Sequence, residues 1–164
     1  MRNNNNINTR EADEIFYSLR EHPEVARMKN YIQHGDINTF QHCEAVVNCG
    51  RKLNQVLHVH ADETALVRGG MLHDFYLYDW HIPDKSHKLH GFSHPRQALQ
   101  NALKYFNLND REKNIILSHM WPLTVTQIPT SREAWLICLA DKYCALRETF
   151  HRGHKNHDKM PVKN

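Results

Sequence analysis

No apolar run in this 164-residue chain approaches the roughly 20 residues needed to cross a bilayer, which excludes a membrane-spanning helix. The opening Met1-Arg2-Asn3-Asn4-Asn5-Asn6 also lacks a signal-peptide core, so the expected location is the cytosol. Charge of one sign is scarce. Lys and Arg number 21 against 18 Asp and Glu, and a net +3 is too small to predict a specific nucleic-acid partner. Cysteine appears as Cys43, Cys49, Cys138 and Cys144, with no Cys-x-x-Cys spacing that would mark a zinc knuckle. Each pair is six residues apart in a helical pattern, so its members point away from one another and free thiols are expected. Internal repeats and composition breaks are absent too. The chain reads as one domain over 1–164 with a core at about 38–150, and with loose ends at 1–8 and in the basic tail 151–164.

Histidine is plentiful, at 14 residues, and imidazole is both a neutral metal ligand and a proton carrier near neutrality. The hydrophobic spacing is helical almost throughout. Amphipathic helices are expected over about Thr9 to His22, and from Pro23 to about His34, where Gly35 stops the helix. Asn38 or Thr39 caps a long helix to about Leu57, and Asp62 starts another towards Asp74. Gly69-Gly70 lowers the propensity of that helix, which implies close packing against a neighbour. A long loop spans about 78–93. Helices resume over about 94–106 and 110–119, and a last one follows Ser131 to about Phe150. Only Leu123 to Ile128 alternates weakly like a strand. The fold class is therefore all-α, a bundle of about six to seven helices.

Several ionisable residues fall on the apolar faces of these helices. His42 shares a stripe with Val46, Cys49 and Leu53, and His73 follows Leu66 by seven. His119 follows Ile115 and Ile116, and Asp141 ends the run Trp135-Leu136-Ile137-Cys138-Leu139-Ala140. A buried carboxylate needs a cation or several donors. Taken singly, each histidine could be a hydrogen-bonded core residue and Asp141 could pair with an arginine. Together, four inward groups from four helices could meet in a bundle interior and bind a metal.

This arrangement resembles the HD-domain superfamily, whose signature is a His, a His-Asp pair and a distant Asp, all on helices. The matching residues are His42, His73-Asp74 and Asp141. Gly70-Met71-Leu72-His73-Asp74 is similar to the family's Leu-Leu-His-Asp helix end, and Leu139-Ala140-Asp141 to its Val-Ala-Asp helix. His94-Pro95-Arg96-Gln97-Ala98 and Ser118-His119-Met120 resemble two further segments of the binuclear phosphodiesterases of that superfamily. Where their cyclic-dinucleotide branch carries Gly-Tyr-Pro, this chain has Met120-Trp121-Pro122-Leu123, which argues against a cyclic-dinucleotide substrate.

The resemblance, covering about 38–150, implies His42, His73, Asp74 and Asp141 around one divalent metal. His94 and His119 would hold a second, with Asp74 bridging and His73 and Asp74 central to catalysis. His90, in a His-Gly pair, is the rival of His94. Imidazole and carboxylate ligands suit Fe, Mn, Co, Ni or Zn. The family's usual reaction is phosphoester hydrolysis, so the implied partner is a small phosphorylated substrate or nucleotide. Lys88 and His90 on the loop, with Lys142 and Arg147 after Asp141, are the candidate phosphate contacts. Tyr78, Trp80 and Trp121 are candidates to stack on a base. Two other functions share this pattern: a di-iron oxygenase and a non-catalytic regulatory module. The amphipathic N-terminal helices could cap the bundle or pair with a second subunit as a homodimer.

Overall fold

A computed structural model describes residues 2–82 and 89–157, and the side chains of 8–82 and 89–150. The architecture is all-α. Among the described residues seven α-helices run in the order α1 (Arg2–Glu21), α2 (Pro23–Ala26), α3 (Thr39–Val56), α4 (Glu63–Leu72), α5 (His90–Tyr105), α6 (Asp110–Ser118) and α7 (Arg132–His157). No described helix is long and apolar enough to cross a membrane. All four cysteines are free.

Local capping chemistry sets most helix starts. Asn38 accepts from the Gln41 amide while the Gln41 side chain accepts from the Asn38 amide, closing a capping box on α3. Asn109 and Glu112 do the same for α6. Asp62 caps α4 through the Ala65 amide, and the Ser131 hydroxyl accepts from the Ala134 amide at the start of α7.

α4 is the axis of the molecule and packs against α1, α3, α5, α6 and α7. Leu66, Val67, Met71 and Leu72 on this helix are buried, and its two glycines explain how so many neighbours fit around it. A Cβ at Gly69 would lie 2.5 Å from Cδ1 of Ile115, and one at Gly70 would lie 2.8 Å from Cδ1 of Ile137. Gly69→Ala should therefore destabilise. Overpacking of about 1–3 kcal/mol exceeds the roughly 1 kcal/mol gained in helix propensity, and the net loss should lower Tm by a few degrees. Thermal unfolding checks this; an unchanged or higher Tm would mean that α4 and α6 do not approach as closely as described.

Several segments depart from the sequence expectation. The second helix does not reach His34. It ends in α2 and a 3-10 turn at Arg27–Asn30, and a short antiparallel hairpin follows, β1 (Ile32–His34) with β2 (Ile37–Asn38). Gly35 turns the hairpin with φ of 60°, a conformation that costs glycine nothing. The Tyr31 carbonyl is secured by the amide and hydroxyl of Thr39. Residues 123–128 form turns rather than a strand, closed by the Gln127 amide donating to the Thr124 carbonyl. Helix α5 begins at His90, four residues before the expected start, and α7 continues beyond Phe150 to His157. Residues 2–8, expected as a loose end, lie in α1, and residues 158–164 of the basic tail lie outside the described residues.

Candidate metal centre

The C-terminal end of α4 delivers His73 and Asp74 to the interior, where the negative end of the helix dipole favours a nearby cation. α3 supplies His42, α5 supplies His94, the residue after α6 is His119, and α7 supplies Asp141. All six side chains are buried and they converge on Asp74.

The two oxygens of Asp74 face different partners. Its Oδ2 lies 3.5 Å from His73 Nε2 and 4.0 Å from His42 Nε2. Its Oδ1 lies 3.1 Å from His94 Nε2 and 3.4 Å from His119 Nε2. Asp141 completes the first group, with Oδ1 at 3.0 Å from His42 Nε2 and 3.8 Å from His73 Nε2. In the second group the His94 and His119 Nε2 atoms are only 2.8 Å apart.

Tautomers follow from the outer partners. His73 Nδ1 lies 2.7 Å from the Gly70 carbonyl, His94 Nδ1 lies 2.8 Å from the His90 carbonyl, and His119 Nδ1 lies 2.8 Å from the Ile116 carbonyl. A carbonyl can only accept, so each Nδ1 carries a proton that it donates. His42 Nδ1 donates in the same way to Glu148 Oε2 at 2.9 Å. In the neutral rings the Nε2 lone pairs then point inward, towards carboxylate oxygens and towards one another. Such outer-shell anchoring is the usual support of metal-ligating imidazoles.

The centre fits a divalent cation on its own geometry. His73 Nε2 and Asp74 Oδ1 are buried without a hydrogen-bond partner, and lone pairs facing oxygens or each other repel unless positive charge lies between them. Ligand–metal distances of about 2.0–2.2 Å are compatible with donor atoms separated by the spacings observed here. His42, His73 and Asp74 form one buried group suited to a metal ion, and Asp74, His94 and His119 form another.

The two buried carboxylates draw positive charge into the centre. Burial would raise the Asp74 carboxyl, but the charge of His73 beside it, with His119 and His94 against its other oxygen, holds it well below the carboxylate range. Asp141 is lowered too: burial opposes its charge, and His42 and His73 override burial. Burial disfavours charge on His42, yet Asp141 and Glu148 outweigh it and push the imidazole up to about 10. His73 is likewise raised, against burial, by Asp74. His119 moves the other way, because burial exceeds the pull of Asp74.

A cleft of about 580 Å³ opens onto this centre and reaches Asp74, His94, His119 and Asp141. Trp80, His34 and His90 line it together with Met120, Pro122 and Leu123. His90 is not in either buried group around Asp74. Its ring stacks on His94 at 4.5 Å and on Trp80 at 5.1 Å, with Tyr78 Oη at 2.8 Å from its Nδ1. Among the rivals it is therefore His94 that meets Asp74.

The other expected substrate contacts fare differently. Lys142 lines the cleft, but its Nζ donates to the His119 carbonyl at 2.7 Å and to the Cys138 carbonyl at 3.3 Å, tying α7 to the end of α6. Arg147 is exposed, does not line the cleft, and sits 6.0 Å over the Tyr143 ring. Its position after Asp141 in sequence places it on the outside of α7. Lys88 lies outside the described residues. Trp121 packs edge-on against Trp135.

Three residues were not anticipated. Gln33 on β1 donates from Nε2 to Asp74 Oδ2 at 2.6 Å, and Gln33 Oε1 accepts from the Tyr76 hydroxyl. His34 joins His42 and Glu148 in a third group of donor atoms. Both Gln33 and His34 were hidden by the helical reading of 23–34. Glu148 had a signal, since it follows Asp141 by seven and shares its face of α7. Glu148→Ala should weaken metal binding about 10–100-fold while leaving α7 intact, with partial recovery in Glu148→Gln, which keeps an acceptor for Nδ1. Titration with a metal-sensitive dye checks this; wild-type affinity in the Ala variant would deny Glu148 that role.

The chain matches no protein-family model, no curated protein and no solved structure.

Proposed function

We propose that this chain is a metal-dependent phosphohydrolase of the HD-domain type, with two divalent ions and a small phosphoester or nucleotide as substrate. The observation that carries the reading is the two-sided use of Asp74, whose oxygens face separate sets of imidazole Nε2 atoms. His42, His73, Asp74 and Asp141 would hold one ion, and Asp74, His94 and His119 the other. Bound there, divalent cations acidify water and neutralise charge on phosphoryl oxygens.

The chain's own groups do the rest. Glu148 and the Gly70, His90 and Ile116 carbonyls hold the protons at Nδ1 that keep the Nε2 lone pairs inward. Gln33 orients the Asp74 carboxylate through its amide. His90, fixed between Trp80 and His94, lines the cleft and is assigned to substrate contact. Trp80, Met120, Pro122 and Leu123 give the cleft apolar surface for the body of an ester, while phosphoryl charge is matched at the ion-binding end.

The test is elemental analysis of the purified protein beside a hydrolysis screen of phosphomonoesters, phosphodiesters and nucleotides with added Mn. Bound transition metal near two ions per chain and release of phosphate or an alcohol are the expected results. Oxygen consumption by an iron-loaded protein without hydrolysis would replace this reading with an oxygenase. Failure to bind any metal would leave a non-catalytic helical module.

A further inference from the structure

The two faces of α7 are both apolar. Ala134, Ile137, Cys138, Asp141, Cys144 and Glu148 turn inward to the core or to the metal centre. On the opposite side Trp135, Leu139, Tyr143, Leu146 and Phe150 are 38%, 53%, 57%, 59% and 70% exposed. At roughly 100° per residue these five fall within a band of about 80°, running about 22 Å along the helix. Their spacing from Leu139 onward is the alternation of four and three that packs one helix against another. Nothing in the hydrolytic reading uses this stripe.

We propose that the stripe is a homodimer interface in which α7 packs antiparallel against α7 of a second copy. Its order of residues is self-complementary about Tyr143: Trp135 meets Phe150, Leu139 meets Leu146, and Tyr143 meets its own counterpart. A two-fold contact requires such a self-matching patch. The antiparallel sense sets the helix dipoles in opposition. It also separates the two basic sequences His151-Arg152-Gly153-His154-Lys155 that a parallel pair would bring together. At roughly 150–250 Å² per large side chain, half of it exposed, the stripe offers about 500 Å² per copy. Two copies would thus bury about 1,000 Å², the area at which specific interfaces begin.

The experiment is sedimentation velocity of the full chain at micromolar concentrations, with Leu139→Glu, Leu146→Lys and the double variant. These positions are exposed, and far-UV circular dichroism with metal content reports whether the fold is kept. The wild type should sediment at twice the chain mass. Each single variant should associate at least ~100-fold more weakly, because a charge then faces an apolar side chain. The double variant should regain the dimer, since the antiparallel register sets the new carboxylate at position 139 of each copy against the new ammonium at position 146 of the other. A monomeric wild type would overturn the proposal, including one that binds lipid vesicles through the stripe or covers it with residues 158–164. Single variants that stay dimeric would overturn it too, as would a double variant that stays monomeric, because a parallel pair would set like charges opposite one another.

Discussion

An Asp74→Asn chain is expected to fold, to purify with less than one metal ion, and to lose phosphoesterase turnover by about 1,000-fold or more. That magnitude follows from losing several kcal/mol of charge stabilisation when the ion sites fail. Among the described residues no other faces both groups of imidazoles. Asn keeps the size and one acceptor oxygen, so Gln33 can still donate to it, but it removes the negative charge that offsets four converging rings. His94→Asn should produce a narrower defect, with one ion retained at His42, His73 and Asp141. Metal analysis and turnover of the two variants, set beside their circular dichroism, check this. Full activity in Asp74→Asn would remove the bridging role from the carboxylate and the hydrolytic reading with it.

Metal removal carries the second large effect. A chelated sample should unfold at a Tm about 5–10 °C lower than the metal-loaded one. A ligand present at about 100 times its Kd contributes roughly 2.7 kcal/mol to the folded state, and one kcal/mol moves a domain of this size by about 2–4 °C. The cause is local. Without a cation, the buried Asp74 and Asp141 carboxylates must be balanced by protons on His42 and His73, whose burial opposes that charge. Calorimetry with and without chelator, then with metal restored, measures the shift. In Asp74→Asn the difference should nearly vanish. Identical Tm values in the wild type under both conditions would mean that the centre binds no ion tightly.

Most helices, and the starts of α3, α4, α6 and α7, were legible because capping and hydrophobic period are local properties. Asn38, Asp62 and Ser131 act within three residues of themselves, so reading them requires no knowledge of the fold. The hairpin at residues 32–38 was not legible, because a strand of three residues is too short to show a period and Gly35 serves equally as a helix stop. The early start of α5 was hidden for a related reason. The turn from His90 to His94 is held by the carbonyl of one residue and the imidazole of the other, a contact that sequence spacing does not announce.

Four polar residues aimed at the core, His42, His73, His119 and Asp141, were determined by the chain itself, since a period of 3.6 decides which side of each helix a residue takes, whereas Asp74 and His94 were named only by resemblance. Which oxygen of Asp74 meets which imidazole was decided only by the packing of α4 among its neighbours, down to the glycine contacts with Ile115 and Ile137. The recruitment of Gln33, His34 and Glu148 belongs to the same level. Donor atoms must agree to within a few tenths of an ångström to share a cation, and helical periodicity specifies direction around an axis but no distance between axes.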